Sequence, residues 1–246
     1  MKTAALKPAD AARTTTMNPK NILLIKSHSM GIGDLLRSSA AWSALKAKWP
    51  SAQLHFLMLS NHAGYPSEAL IESHYLLSSA NFVTVKQGQP GAQKQQSVPL
   101  EQTLRTVLER LALQPIDLVI DFETGGLKTP WLTRQIARAK NATSVGIAQF
   151  PLRRFFYDLA APSSRAYQAK YGLPRLMDYT EKDFVALAAL GIARGDARIT
   201  LRPAADGVRW QEQHAAEFSQ TMTAVLNIGC GTADALVKRP PLDQLV

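Results

Sequence analysis

The chain has little cysteine and no long apolar run. Its single cysteine, Cys230, excludes an intramolecular disulfide, so we expect a cytoplasmic protein and not a disulfide-stapled secreted scaffold. No apolar stretch approaches the roughly 20 residues that a membrane-spanning helix requires. Residues 1–18 lack the apolar core of a signal peptide, and we expect them to form a disordered tail.

Acidic residues are also scarce. The 19 Asp and Glu residues face 28 Lys and Arg residues, which gives a formal net charge of +9. A basic balance favours an anionic partner, and nucleic acid, an anionic membrane surface and phosphorylated small substrates all fit it. A basic solvated surface without a partner fits the charge as well. Hydrophobic residues make up 46% of the chain, which is enough for a sizeable core and indicates a globular protein.

Short apolar runs alternate with helical patterns from residue 20 to about residue 150. Runs such as Ile22–Ile25 are typical of strands buried on both faces of a parallel sheet. The alternation predicts an α/β fold with a Rossmann-like, doubly wound parallel sheet. The Gln- and Gly-rich stretch 87–97 predicts a loop. We predict strands at 22–25, 53–59, 81–85, 117–121 and 143–146, and helices at 34–49, 67–73, 100–113 and 130–139.

The pattern changes after residue 146, and it divides the chain into domains. We assign 19–192 to one Rossmann-like domain, 193–207 to a linker and 208–246 to the beginning of a second domain. That beginning is too short to bury its own strand, so we expect a C-terminal truncation. The alternative is an edge strand added to the first sheet. The elements predicted here are helices at 176–190 and 208–219 and a strand at 224–228.

The segment ILLIKSHSMGIGDLL, residues 22–36, carries the strongest functional signal. A buried strand leads into a loop with Gly31 and Gly33, and a helix starts at or near Asp34. Loops at this position border the ligand crevice of doubly wound sheets. The third glycine of a dinucleotide fingerprint would fall on Leu36, and no P-loop motif is present. Asp34 is either a carboxylate that takes a proton from a hydroxyl or a helix N-cap, and spacing alone favours the cap.

Four segments together resemble glycosyltransferase family 9, the bacterial heptosyltransferases of lipopolysaccharide core assembly. Residues 22–57 are similar to its opening strand, Gly-Asp loop, Leu- and Ala-rich helix and second strand. DLVID at 117–121 resembles its fourth strand, and DYTEKDFVALAALGI at 178–192 resembles the helix before its linker. VLNIGCGTADALVKRPPLDQL at 225–245 resembles the strand, glycine turn and Lys-bearing loop that open its second domain.

The resemblance implies a GT-B glycosyltransferase that moves a heptose or similar sugar from a nucleotide-diphosphate donor to a lipopolysaccharide inner-core acceptor. It implies no metal and no cofactor beyond the nucleotide sugar. The N-terminal domain would hold the acceptor, and the second domain would hold the donor. Asp34 would be the general base of an inverting transfer, and Lys238 would contact donor phosphate. Further donor contacts would come from Met30, Gly31, Gly229, Gly231 and Thr232.

An anionic, lipid-linked acceptor at the membrane surface would need basic contacts. The candidates are Arg37 near the start of the first helix, His28 in the Gly-Asp loop, and the pair Arg153 and Arg154. For that pair a plain solvated surface is an equally good interpretation. The aromatic run 155–157 could enter a membrane surface, but packing in the core or between domains is the favoured interpretation.

The sequence departs from the family in two places. After Lys238 the family has a Trp-Pro pair one residue on, whereas this sequence has Arg239-Pro240-Pro241 and lacks the aromatic residue. The loop 27–33 is also longer than in the shortest members. Two other functions stay open. The chain ending at Val246 suggests a non-catalytic fragment that binds acceptor or a partner. A nicotinamide-dependent oxidoreductase is disfavoured because no acidic residue follows the second strand at a ribose-binding position. We expect no nucleic-acid partner.

Overall fold

The computed structural model describes residues 17–28, 32–61, 63–64, 66–87, 96–174, 180–200 and 205–220. Within those ranges only the backbone is described at positions 28, 32, 34, 66, 67, 205, 206 and 218–220. The chain divides into two compact units, Met1–Arg202 and Pro203–Val246, and the division falls within the predicted linker.

The first unit contains a sheet of six parallel strands. Its strands are β1 (Asn21–His28), β2 (Gln53–Ser60), β3 (Ser79–Thr84), β6 (Leu118–Asp121), β7 (Thr143–Ile147) and β8 (Leu159–Ala161). A separate antiparallel pair is formed by β4 (Lys86–Gln87) and β5 (Gln96–Ser97). The order across the sheet is β3-β2-β1-β6-β7-β8, so the chain winds outward from β1 in both directions. This is the strand order of a doubly wound Rossmann-like fold, as the sequence predicted.

Helices cover both faces of the sheet. They are α1 (Ile32–Lys48), α2 (Pro66–Glu72), α3 (Leu100–Arg110), α4 (Lys128–Lys140), α5 (Ser164–Tyr171) and α6 (Glu181–Leu187). Successive β1 residues alternate between two cores. Ile22 and Leu24 pack with α1 and α6, whereas Leu23 and Ile25 pack with α3 and α4. Burial on both sides explains why β1 appears in the sequence as an uninterrupted apolar run.

The structure extends the predicted sheet at its far edge. β8 pairs in parallel with β7, so the sheet runs to residue 161 and not to about residue 150. Before β8 the chain forms a 3₁₀ helix, Pro151–Phe156, which contains most of the predicted run 153–158. A second 3₁₀ helix of three residues, Ala188–Leu190, follows α6 inside the predicted helix 176–190. The predicted loop 87–97 contains the ends of β4 and β5, and its remaining residues lie outside the described ranges.

The chain before β1 is partly held by the core. The indole Nε1 of Trp49 donates to the Met17 carbonyl at 3.1 Å, and the Met17 side chain packs against the core beneath α1. The described structure thus begins inside the predicted tail 1–18. In the second unit the described part is helix α7 (Ala205–Gln220). The predicted strand 224–228 lies outside the described residues.

A buried ion pair ties β1 to α6. The Lys26 ammonium donates to both carboxylate oxygens of Asp183, at 2.9 and 3.0 Å, and to the Ser38 hydroxyl at 2.8 Å. Both charged side chains are almost fully buried. A buried charge is tolerated only when it is paired and hydrogen-bonded, so Ser38 completes the environment of Lys26.

Replacing Ser38 by Ala is expected to lower the free energy of unfolding by about 1.5–3 kcal/mol, because the variant removes a hydrogen bond to a buried charge. Chemical denaturation measures the loss. Ser43→Ala on the same helix is the control and should change stability by less than about 0.5 kcal/mol. Equal stabilities for the two variants would show that Ser38 contributes nothing to the pair.

Candidate active site

The fold itself indicates where a ligand should bind. In doubly wound sheets, ligands occupy the crevice beyond the carboxyl ends of the strands, where the chain winds away in opposite directions. That point lies between β1 and β6, whose residues Ile25 and Asp121 are paired near the carboxyl ends of the two strands. A cleft of about 430 Å³ opens at this edge, on the side of the sheet covered by α3 and α4.

The cleft is built from the segments that follow four neighbouring strands. Ser27 contributes from the end of β1, Asn61 from beyond β2, Lys86 from beyond β3, and the loop Gly125–Gly126 from beyond β6. Cavities of about 170 and 510 Å³ also exist, but residues near the amino edge of the sheet line them, such as Asn141 and Lys48. The edge rule for this fold therefore favours the 430 Å³ cleft.

Polar groups without partners line the cleft. The hydroxyls of Ser27 and Thr129 are buried and have no hydrogen-bond partner among the described residues. Thr129 is 6% exposed and lies in the first turn of α4. The unpaired amides of a helix N-terminus and its positive dipole end favour an anionic or strongly polar ligand. The cleft thus combines unpaired hydroxyl groups, the N-terminus of α4 and the Lys86 and Lys128 side chains.

Arg153 holds the loop that forms one wall of the cleft. Its guanidinium is fully buried and donates to the carbonyls of Gly125 and Gly126, both at 2.7 Å, and to that of Glu123 at 2.5 Å. Its Nε donates to the Ile147 carbonyl at 2.9 Å. The Glu123 carboxylate in turn accepts from the backbone amide of Ser27 at 2.9 Å, which joins the loop to β1.

Asp121 is the anion that accompanies Arg153. Its Oδ2 accepts from the Tyr157 hydroxyl at 2.6 Å and lies 3.4 Å from the Arg153 guanidinium, and its Oδ1 accepts from the Glu123 amide at 2.9 Å. Burial raises the pKa of Asp121 from its ordinary value of 3.8 to about 6, although Tyr157 and Arg153 act in the opposite direction. Burial also raises the pKa of Tyr157, so its phenol stays protonated and donates.

The Tyr157 ring lies on Gly146 of β7. A Cβ atom added at Gly146 would lie 2.2 Å from the ring carbon Cζ of Tyr157. The ring has little freedom to move, since Asp121 and Arg153 both bind its hydroxyl. Glycine at position 146 is therefore required by the close approach of the ring.

Replacing Gly146 by Ala is expected to lower the free energy of unfolding by about 1–3 kcal/mol, because the added methyl group must displace the Tyr157 ring. Thermal or urea unfolding measures the effect. Gly125→Ala is the matched control, since nothing lies within 4 Å of a Cβ there, and it should leave stability nearly unchanged. A stable Gly146→Ala protein would mean that the ring is free to shift.

The structure places several predicted site residues at this edge. Asp34 lies in the first turn of α1, which begins at Ile32, so its backbone is inside the helix and not at the N-cap. His28 is the last residue of β1, and Arg37 lies one turn beyond Asp34 and is half-buried. Arg154 is exposed on the 3₁₀ helix. Met30, Gly31, Gly229, Gly231, Thr232 and Lys238 lie outside the described residues.

Two expectations for the run 153–157 do not fit its surroundings. Arg153 was a candidate acceptor contact, but it is fully buried and hydrogen-bonded within the chain, so its role is structural. Packing in the core or between domains was favoured for the aromatic residues. Core packing is confirmed for Tyr157 and wrong for Phe155, which is 73% exposed, and packing between domains stays a prediction. Asp121 and Thr129 were not predicted as parts of the site, because their place in it depends on neighbours far along the chain.

Two further properties of the described residues concern membrane crossing and metal binding. None of the helices in these ranges has both the length and the apolar composition that a bilayer-spanning segment requires. Within the same ranges, no three His, Cys, Asp or Glu side chains come together in a way that could hold a metal ion.

Strand order, layers and cleft together define a Rossmann-like α/β domain with a ligand cleft at the switch point. Among solved structures, the chain is similar to a glycosyl transferase of family 9 from Veillonella parvula, with a TM-score of 0.54 and 15% identity over 88% of this chain and 55% of that chain. This likeness confirms the predicted α/β, Rossmann-like fold.

A second similar structure is E. coli heptosyltransferase WaaC with ADP-2-deoxy-2-fluoro heptose. It has a TM-score of 0.48 and 16% identity over 73% of this chain and 51% of that chain. The chain spans about half the length of these solved structures. No protein-family model and no curated protein matches the sequence.

Proposed function

We propose that the protein takes part in glycosyl transfer from a nucleotide-diphosphate sugar, and that the unit described above binds the acceptor. The observation that carries the proposal is the cleft at the carboxyl edge of the sheet. Asp34 lies in the first turn of α1, which begins at the same edge, after the end of β1. The sequence resemblance and the shared fold support the proposal. A heptose or similar sugar is the proposed cargo, and an inner-core lipopolysaccharide saccharide is the proposed acceptor.

The chemistry requires a base near an acceptor hydroxyl. In an inverting transfer the hydroxyl attacks the sugar carbon from the face opposite the leaving diphosphate, and its proton passes to a carboxylate. Asp34 is proposed as that base. The unpaired hydroxyls of Ser27 and Thr129 and the N-terminus of α4 would hold the polar groups of the acceptor. His28, Arg37 and Arg154 are proposed as further acceptor contacts.

The donor contacts are proposed to come from the second unit and from the Gly-Asp loop of the first. Lys238 is proposed to neutralise the charge that builds on the leaving diphosphate, which would make a metal unnecessary. Gly229, Gly231 and Thr232, with Met30 and Gly31, are proposed to complete the donor site. The proposal predicts transfer without added divalent cations.

A donor panel tests the function. The protein is incubated with a carboxylate-bearing acceptor saccharide and with ADP-, GDP- and UDP-linked sugars, in the presence of a chelator, and release of the nucleotide diphosphate is measured. We expect release that depends on both donor and acceptor. A protein that binds the acceptor but transfers no sugar from any donor would support the non-catalytic alternative.

A further inference from the structure

One surface of the first unit exposes apolar side chains beside the cleft. Phe155 and Leu152 on the 3₁₀ helix are 73% and 59% exposed. Leu127 at the start of α4 and Phe150 before the 3₁₀ helix are exposed as well. Large apolar side chains gathered on one surface of a protein mark an interaction site more often than single ones do.

These residues lie on adjoining elements. The Arg134 guanidinium on α4 donates to the Phe155 carbonyl at 3.2 Å, and Arg153 joins the 3₁₀ helix to the carbonyl of Gly126, which precedes Leu127. We call this surface the basic apolar face. It consists of Leu127, Lys128, Arg134, Arg138, Phe150, Leu152, Arg154 and Phe155.

The basic apolar face comes from a segment without acidic residues. No Asp or Glu occurs between Glu123 and Asp158, although the whole chain has 19 of them in 246 residues, about one in thirteen. Lys128, Arg138 and Arg154 are exposed. At the margin, Asp158 is exposed, but its carboxylate accepts from the amide and hydroxyl of Ser144. The face therefore combines apolar side chains with positive charge.

We propose that the basic apolar face docks on the surface of an anionic lipid membrane. Aromatic and aliphatic side chains enter the boundary between headgroups and acyl chains, and arginine and lysine are attracted by anionic headgroups. The exposed leucines Leu127 and Leu152 favour a lipid surface, because covering them with acyl chains lowers the free energy. Proteins that bind single-stranded nucleic acid instead use aromatic side chains that stack on bases and a basic groove.

The docking proposal extends the proposed function by adding a membrane partner. It rests on the proposed function only for the identity of the acceptor. Gly125, Gly126, Leu127 and Lys128 line the cleft, and the last two also belong to the basic apolar face. A saccharide anchored in the bound membrane would therefore be presented at the edge of the cleft.

Co-sedimentation with lipid vesicles tests the docking site. We expect the protein to bind vesicles that contain phosphatidylglycerol, to bind phosphatidylcholine vesicles weakly, and to be released by salt. The double variant Leu152→Ser and Phe155→Ser should bind at least about tenfold more weakly. Arg138→Glu should weaken binding to the anionic vesicles alone. Failure of both variants to weaken binding would overturn the proposal.

Two matched controls separate this face from general surface effects. Leu113→Ser removes an apolar side chain that is 97% exposed on the loop after α3, and Arg105→Glu reverses an exposed charge on α3, next to acidic residues. Both should bind vesicles as the parent protein does. If the face variants instead lose binding to a DNA or RNA oligonucleotide and keep vesicle binding, the partner is a nucleic acid.

The docking proposal and the proposed transfer reaction can be rejected independently of each other. Sugar transfer to a water-soluble acceptor needs no vesicle, and the double variant at Leu152 and Phe155 should retain it. Vesicle binding without transfer would reject the proposed function and keep the docking site. Transfer to the soluble acceptor by a protein that binds no vesicles would do the reverse.

Discussion

Replacing Asp34 by Asn is expected to lower the turnover number of sugar transfer by about 10²–10⁴-fold, the range in which a positioned general base accelerates a reaction. Asn keeps the size and the hydrogen-bonding capacity of the side chain but cannot accept the proton of an acceptor hydroxyl. Position 34 lies in the first turn of α1, and asparagine is well tolerated near the start of a helix. We therefore expect unchanged thermal unfolding and a similar affinity for the acceptor.

Nucleotide release under saturating donor and acceptor measures this loss. Asp196→Asn, at an exposed position beside the cavity near the amino edge of the sheet, is the control and should keep full turnover. Asp34→Glu should recover part of the activity if proton transfer is the function of the carboxylate. Turnover by Asp34→Asn equal to that of the parent protein would leave Asp34 with a role in helix stability alone.

Replacing Arg153 by Ala is expected to lower the free energy of unfolding by about 3–5 kcal/mol, the cost of breaking a buried ion pair from one side. The variant leaves Asp121 buried without its counter-charge, and it leaves the carbonyls of Glu123, Gly125 and Gly126 without their donor. Urea denaturation measures the loss. Arg154→Ala, one residue along and exposed, should change stability by less than about 0.5 kcal/mol.

The pH dependence of stability gives this prediction a second readout. The pKa of Asp121 is raised to about 6 in the folded protein from an ordinary 3.8. The folded state therefore binds this proton more tightly, and stability falls as the pH rises from about 4 to about 6. Without Arg153 the pKa of Asp121 rises further, so the loss caused by Arg153→Ala should grow above pH 6. A pH-independent loss would exclude Asp121 as its source.

The sheet was largely predictable because most of its strands carry their own local sequence signal. β1 and β2 are apolar runs buried on both faces, and their parallel pairing follows from the helices between them. β8 was missed for a physical reason. It has three small or apolar residues, LAA, and it becomes a strand only through its pairing with β7. Nothing local in such a short run separates a strand from a loop.

The candidate site was predictable only in part. The edge of the sheet and the place of Asp34 follow from the order of elements along the chain. The pairing of Asp121 with Arg153 does not, since these residues are 32 positions apart and meet through the fold. Sequence alone could not distinguish Arg153, which is fully buried, from Arg154, which is exposed. The unpaired hydroxyl of Thr129 also could not be predicted, because its burial at the cleft depends on the position of α4 in the fold.

The location of a bound acceptor decides whether the carboxyl edge of the sheet is the binding site. Amide chemical shifts of the protein are followed by NMR during titration with a water-soluble, carboxylate-bearing saccharide. We expect saturable changes at Ser27, Asp34, Gly125 and Thr129, at the carboxyl edge of the sheet. Changes confined to the amino edge, near Lys48 and Ile192, or no saturable change at any concentration, would contradict this expectation.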